Sequence, residues 1–421
     1  HPQSPVLDVF VEPGGKTQPL QLRDGAGRQT VPAWFVPREV GGVDDQHVVP
    51  GPRRPSRGRR PRRTSADDHD VSAEPLRIHV PKYVVRVNTP ATVVAGVELG
   101  DPVFAAGVRD GVARIETLIS EELGKGDEII RDAVLHLFEA GGKRFRPLFT
   151  VLSAQLGPNP EAWQVTVAGS VIELVHLATL YHDDVMDEAQ VRRGAPSANA
   201  RWSNNIAILA GDYLFATASR LVSRLGPDAV RVIAETFAEL VTGQMRETRG
   251  AAEHVDSVDH YLRVVHEKTG SLIAASGQFG ATFSGASDDD IRRLSQLGGI
   301  VGTAFQISDD IIDIASDSDE SGKTPGTDLR EGVHTLPVLY ALRETGPDAD
   351  RLRELLSGSM DDDAHVAEAL ALLRVSPGMA KAKDTVARYA AQAHEEIEGL
   401  PQGAGRQALT TLVDYTVSRH G

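Results

Sequence analysis

The sequence predicts an all-α protein, a helical bundle around a central cavity, preceded by a low-order extension. Three observations predict it. No convincing strand pattern occurs after residue 100, the apolar mass is Ala, Leu, Val and Ile with aromatics at only 5%, and Gly, Pro or Ser breaks cut residues 101–418 into segments of helical length.

Taken in order, Val103, Val108, Val112, Ile115 and Ile119 mark one helical face until Gly124 and Gly126 break it. Residues 129–139 form a second segment, ending at Gly141-Gly142. Apolar Leu148–Leu156 follows, then the loop Gly157-Pro158-Asn159-Pro160. Val165–Leu180 is a long apolar run without Pro and reads as a buried central helix. Helices are expected over 204–224, 228–250, 257–283 and 290–316, and again over 335–345, 364–373, 377–398 and 404–418.

Residues 1–95 differ from everything after them. They hold 13 of the 24 prolines and no sustained periodicity, so a disordered extension is expected there, with the functional domain at 96–421. Leu76–Val80 alternates like a strand, but only briefly. Seven arginines crowd residues 52–63. The chain opens with His and has no Met before Met186, so the functional protein is expected to start near Val87.

Composition narrows the function. There is no Cys, hence no disulfide, thiol nucleophile or zinc-thiolate site. No signal-peptide pattern opens the chain, and no run reaches the ~18 unbroken apolar residues of a membrane span, so a cytoplasmic protein is expected. The net charge of −15 is unevenly spread: residues 1–95 carry 14 Lys/Arg against 10 Asp/Glu (+4), the remainder 30 against 49 (−19). So acidic a body repels nucleic acid.

The central helix ends in Tyr181-His182-Asp183-Asp184-Val185-Met186-Asp187. Spacings of three and four let all three carboxylates project toward one side, which is costly on an apolar helix without a neutralising cation. Oxygen-only ligands suit Mg²⁺, which takes one or two carboxylates and completes its octahedron with water and substrate phosphate. The pattern returns as Asp309-Asp310-Ile311-Ile312-Asp313 after another apolar run. Two other acidic runs, Asp288–Asp290 and Asp361–Asp363, sit in Ser/Gly-rich contexts and read as helix starts. Two trios at the ends of separate apolar helices point instead to metal ions around one polyphosphate.

Cations bracket both trios: Lys143 and Arg146 past Gly141-Gly142, Arg192 and Arg193 before Gly194, Lys268 at a helix break, and Lys323 after the second trio. Arg grips phosphate bidentately. His176 lies two turns before Asp183, where it is either a core residue or a phosphate donor.

Gly141–Pro147, His182–Asp187, Arg192-Arg193-Gly194, Lys268-Thr269, and Phe305-Gln306 with Asp309–Asp313 together resemble the trans-polyprenyl diphosphate synthases, in the right order across about residues 100–420. The resemblance implies the isoprenoid-synthase helical fold, a homodimer, and head-to-tail addition of isopentenyl diphosphate to an allylic diphosphate. It implies Asp183, Asp187 and Asp309 as Mg²⁺ ligands, with Asp184, Asp310 and Asp313 in support. Lys143, Arg146, His176 and Arg193 would hold isopentenyl diphosphate. Arg192, Lys268, Thr269, Gln306 and Lys323 would hold the allylic diphosphate. One departure is visible: where the family often has Gly-Lys-x-Thr-Leu-Pro this chain has Gly332-Val333-His334-Thr335-Leu336-Pro337, so the usual cation is missing or moved to His334.

Product length follows from the turn above Asp183. Ala178 and Thr179 are small, and no aromatic plugs that turn. An unplugged helix implies a medium-to-long product such as a quinone side-chain precursor, with peripheral membrane association through that product. Alternatives are a geranylgeranyl or other short-chain synthase and a non-catalytic partner subunit. The retained acidic trios oppose the partner subunit. A terpene cyclase is opposed by Asp-Asp-x-x-Asp at the second site, where cyclases normally mix Asn, Ser and Glu.

Overall fold

The computed structural model describes residues 21–24, 27–30, 92–315, 325–358, 360 and 362–418. The expected strand at 76–80, the arginine run and Lys323 lie outside the described residues. The chain separates into two compact units, His1–Lys82 and Tyr83–Gly421. In the first, β1 (Gln21–Asp24) pairs antiparallel with β2 (Gly27–Thr30), placing Leu22 opposite Gln29.

The second unit is helical. It begins with a two-residue hairpin, β3 (Val93–Val94) and β4 (Val97–Glu98), whose Val94 and Val97 are buried. Helix α1 (Pro102–Gly124) starts where the Asp101 side chain accepts the Phe104 N–H and Pro102 presets the first turn. Then come α2 (Glu128–Glu139), α3 (Phe145–Ala154) and the central α4 (Trp163–Met186). Helix α4 spans ~36 Å at 1.5 Å per residue, and α1, α3, α6 (Asn204–Val222) and α9 (Ser271–Ser284) surround it. Between α4 and α6 stand a short hairpin, β5 (Val191–Arg192) with β6 (Ala195–Pro196), and the turn-long α5 (Ala198–Arg201). That hairpin was not legible as strand.

Helix α7 (Pro227–Arg249) leads to α8 (Ser257–Val265). The single helix expected over 257–283 is interrupted by a π-helical turn, His266–Gly270, before α9. Helix α10 (Asp288–Ala315) packs closely on α9, because a Cβ on Gly277 would lie 2.2 Å from the Leu294 carbonyl oxygen and one on Gly298 2.4 Å from that of Ile273. Only glycine permits that approach. Asp288–Asp290 form the first turn of α10 and Asp362 caps a later helix, as helix-start acids should.

The remaining elements are α11 (Thr327–Arg330), α12 (Leu336–Ala341), α13 (Pro347–Leu356), α14 (Asp363–Val375), α15 (Pro377–Glu398) and α16 (Ala404–Ser418). The sequence reading had no helix at α13, whose composition is largely polar. One apolar core surrounds α4 and the first half of α10; a second packs α12–α15 against Ile307, Ile311 and Ile314. Helix α10 therefore joins both. By length and average composition α4 and the segment beginning α6 are apolar enough to cross a membrane, but α4 is the core helix of the bundle.

Candidate active site

The first acidic trio sits where α4 ends. Asp187 is the C-cap, exposed, its N–H bonded to the Asp183 carbonyl at 2.8 Å. Asp183 is half-buried. Burial pushes its carboxyl up to about 6, opposed by Lys268 and Arg192 and assisted by Asp187 and Glu247. Asp184 is fully buried and accepts from Arg192 Nε at 2.6 Å, while its Oδ2 has no hydrogen-bond partner. The three carboxylates are thus unequal: Asp187 is exposed, Asp183 is half-buried, and Asp184 is buried and engaged by Arg192. The helix ends within the motif, so spacing alone does not set their directions.

Just beyond, the β5–β6 turn has Arg193 at φ 54° and Gly194 at φ 74°. Consecutive left-handed residues make the tight hairpin turn, and a non-glycine there is strained. From this turn Arg193 reaches inward. Its guanidinium donates to the carbonyls of Leu137, at 2.9 Å, and Gly141, and lies 3.9 Å from Glu173. Gly142 (φ 133°) makes room, since a Cβ there would come within 2.9 Å of the Arg193 guanidinium carbon.

Arg144, also left-handed (φ 51°), donates to Glu116 at 2.7 Å, Glu173 at 3.3 Å, and the Phe138 and Gly141 carbonyls. Arg146 belongs to this cluster, with a buried Nε that makes no hydrogen bond. Burial, with Arg193 assisting, lowers its guanidinium to about 10 although Glu173 opposes. His176 is held well below the ordinary imidazole range, by burial first and then by Arg146, Arg193, Arg192 and Arg144. It is an imidazole held toward its neutral form among cations. Lys143 is exposed, its Nζ 5.9 Å from the centroid of the Phe305 ring.

The second trio closes α10. Asp310 is buried, accepts from the Tyr261 hydroxyl and from Gln306 Nε2 at 2.9 Å, and is pushed up by burial to about 7. Asp309 is half-buried. Asp313 accepts from the backbone N–H groups of Thr327 (3.2 Å) and Asp328 (3.3 Å), which pins α11 against α10.

The π turn links the two walls. A single inserted residue displaces Lys268 and Thr269 from the α8–α9 spiral, as π-bulges at functional sites do. Lys268 donates to Glu247 of α7 at 2.5 Å, and Thr269 donates to Gln306 at 3.4 Å. Glu331, just after α11, is pushed up by burial and by both Asp187 and Asp313, with Arg192 and Lys268 opposing. One carboxylate therefore lies in the field of both trios. His334 stands where the usual lysine is absent, and desolvation lowers its imidazole below the ordinary range. Ala178 and Thr179 are buried in α4, the Thr179 hydroxyl donating to the His176 carbonyl. Two surface concavities of about 740 and 860 Å³ adjoin Trp163, at the opposite end of α4, and contain none of these residues.

Sequence reading missed Glu173, Arg144, Glu247, Tyr261 and Glu331. Glu173 had a signal, as the one acid inside the apolar run Val165–Leu180. The others become visible only through packing.

Among the described residues no three acids or histidines converge into a ready-made metal cage. The donor set is nevertheless all oxygen, on two walls. That suits a hard cation that takes one or two carboxylates and shares substrate oxygens. The half-buried Asp183, with its raised pKa, is a carboxylate that a cation would return to its charged form.

Comparisons with known proteins agree with this geometry. Residues 127–373 match the model of the family described as polyprenyl synthetase. The chain is 73% identical over 335 residues to a Mycobacterium tuberculosis protein named nonaprenyl diphosphate synthase, covering 80% of this chain and 100% of that one. It is 62% identical to a dimethylallyltranstransferase of the same organism, covering 77% of this chain and 99% of that one. A geranylgeranyl pyrophosphate synthase from Corynebacterium glutamicum, solved with calcium and isoprenyl diphosphate, superimposes with a TM-score of 0.70 at 50% identity, over 77% of this chain and 100% of that one. This chain belongs to the polyprenyl synthetase family and is a prenyl-transferring enzyme.

Proposed function

We propose that the protein adds isopentenyl diphosphate head to tail to an allylic diphosphate, with Mg²⁺, and releases a medium-to-long all-trans polyprenyl diphosphate used as a quinone side-chain precursor. The observation that carries this reading is the pair of intact Asp-Asp-x-x-Asp trios ending α4 and α10, with Lys268 and Glu331 in the field between them.

Asp183, Asp187 and Asp309 would hold Mg²⁺, supported by Asp184, Asp310 and Asp313. When bound, the metal offsets the charge that develops on the leaving diphosphate. Arg192, Lys268, Thr269, Gln306 and Lys323 orient the allylic diphosphate. In the ligand-free protein Lys268 is lent to Glu247 and Arg192 to Asp184, so substrate must compete for both. Lys143, Arg146, His176 and Arg193 hold isopentenyl diphosphate, and neutral His176 donates the one N–H of its imidazole to a phosphate oxygen. Electrostatic stabilisation at prepared positions dominates such a reaction. The departing diphosphate then takes the proton, and no side-chain base is required.

Small Ala178 and Thr179 and the 73% identical nonaprenyl diphosphate synthase support the longer product. The exposed apolar side chains Ile208 and Leu209 of α6 and Val241 and Met245 of α7 support a homodimer, since water-facing groups of this size are covered in an assembly. A cytoplasmic enzyme that meets the membrane through its product completes the reading. Incubating the protein with isopentenyl diphosphate, farnesyl diphosphate and Mg²⁺, then sizing the dephosphorylated products, tests it. Products of about six or more isoprene units support it, and arrest at geranylgeranyl length refutes the chain-length part.

A further inference from the structure

The cationic pocket behind the first trio contains one acid that the reaction does not call for. Glu173 lies on α4, ten residues before Asp183, and is 2% exposed. A buried carboxylate is expensive unless paired. Its Oε1 stands 3.3 Å from Arg144 and 3.9 Å from Arg193. Burial pushes its carboxyl up, and Arg144, Arg193 and, through space, Arg146 oppose that and favour the charged form. Three guanidinium groups thus share one anion, with Glu116 assisting only Arg144. Arg146 is the least satisfied of the three. Both arginines that touch Glu173 are in left-handed backbone, a conformation that persists only when its surroundings enforce it.

We propose that Glu173 is a positioning residue that stands in for a substrate phosphate: in the ligand-free protein it holds Arg144 and Arg193 and offsets the charge of Arg146, and the diphosphate of isopentenyl diphosphate takes over that load on binding. The inference rests on the reading that Arg146 and Arg193 hold this substrate. Its consequence is one of sign. Neutralising Glu173 raises the free energy of the empty pocket, where three cations then repel, more than that of the filled pocket, where the diphosphate neutralises them. Binding therefore tightens as the protein loses stability. An ordinary structural ion pair would weaken both states alike.

The experiment compares wild type, Glu173→Gln and Glu173→Asp by melting and by calorimetric titration with isopentenyl diphosphate, in EDTA and without an allylic partner. The metal-dependent site then takes no part. Glu173→Gln should melt lower when free, gain more from ligand than wild type, and bind about three- to thirtyfold more tightly, a shift within the range of coupled neighbours. Glu173→Asp keeps the charge and should bind within about threefold of wild type. An unchanged or weaker Kd in Glu173→Gln overturns the proposal. If that variant does not fold alone, inorganic pyrophosphate should restore its folding, and failure to do so also overturns the proposal. An Arg146→Leu protein that binds like wild type would show instead that the substrate sits elsewhere, whatever Glu173 does.

Discussion

Arg192 donates its Nε–H to Asp184 over 2.6 Å, which commits one acid of the first trio to the protein interior. Asp184 is fully buried, and Arg192 lies within ion-pair distance of it. Replacing Arg192 with Leu strands that charge, so a loss of about 3 kcal/mol is expected, the lower end for breaking a buried pair. Asp183→Asn removes a carboxylate that burial already disfavours, and should leave stability unchanged or slightly raised while turnover collapses. Urea unfolding in EDTA checks both. Equal stability losses in the two variants would contradict the unequal roles assigned to adjacent aspartates.

Tyr261→Phe removes the hydroxyl that donates to buried Asp310. Gln306 then remains as its side-chain donor. A cost of about 1–3 kcal/mol follows from leaving a buried acceptor short of a partner. The Mg²⁺ concentration for half-maximal activity should rise as well, because Asp310 becomes harder to ionise. Thermal unfolding and a Mg²⁺ titration of turnover measure the two effects.

Asp183 and Asp310 are pushed up to about 6 and about 7, above the usual value of 3.8. The folded protein therefore holds their protons more tightly than the unfolded chain does. Their contribution to stability is fully present below about pH 4 and is lost as pH rises through about 6 and 7. In EDTA, this part of the stability should fall between pH 4 and 7.5. The wild type should show that fall and an Asp183→Asn/Asp310→Asn protein should show less of it. A divalent cation should flatten the wild-type dependence. Identical pH profiles for wild type and double variant would contradict these assignments.

Most of the fold was legible in the sequence because Gly, Pro and Ser punctuate it and because apolar periodicity survives in the long helices. α15 and α16 begin and end where residues 377–398 and 404–418 led one to expect. Legibility failed where the pattern carries no signature. Helix α13 buries only Ala349, Leu352 and Leu355, too little to stand out against its charges. The π turn inserts one residue into an unbroken helical spiral, and a 3.6-residue period cannot reveal that. The site was readable as chemistry, since acids and cations are conspicuous beside apolar helices. Its internal pairing was not: the engagement of Asp184 by Arg192 depends on the fold of the hairpin between them, and the loan of Lys268 to Glu247 and the anchoring of two arginines by Glu173 depend on residues about twenty or more positions apart.

Ala178 is fully buried, so a ring at that position meets packed neighbours. Ala178→Phe should shorten the product and cost about 1–3 kcal/mol from overpacking. Product sizing beside a melting curve separates the two. A folded variant with unchanged product length would remove Ala178 from chain-length control.

The central claim is that both aspartate trios serve one metal-bound diphosphate, and single-turnover condensation as a function of Mg²⁺ tests it most directly. Asp183→Ala and Asp309→Ala, taken separately, should each slow condensation by about a hundred- to a thousandfold at saturating Mg²⁺, as expected for losing one element of transition-state charge stabilisation. Near-wild-type rates in either variant, or condensation by the wild type that persists in EDTA, would contradict it.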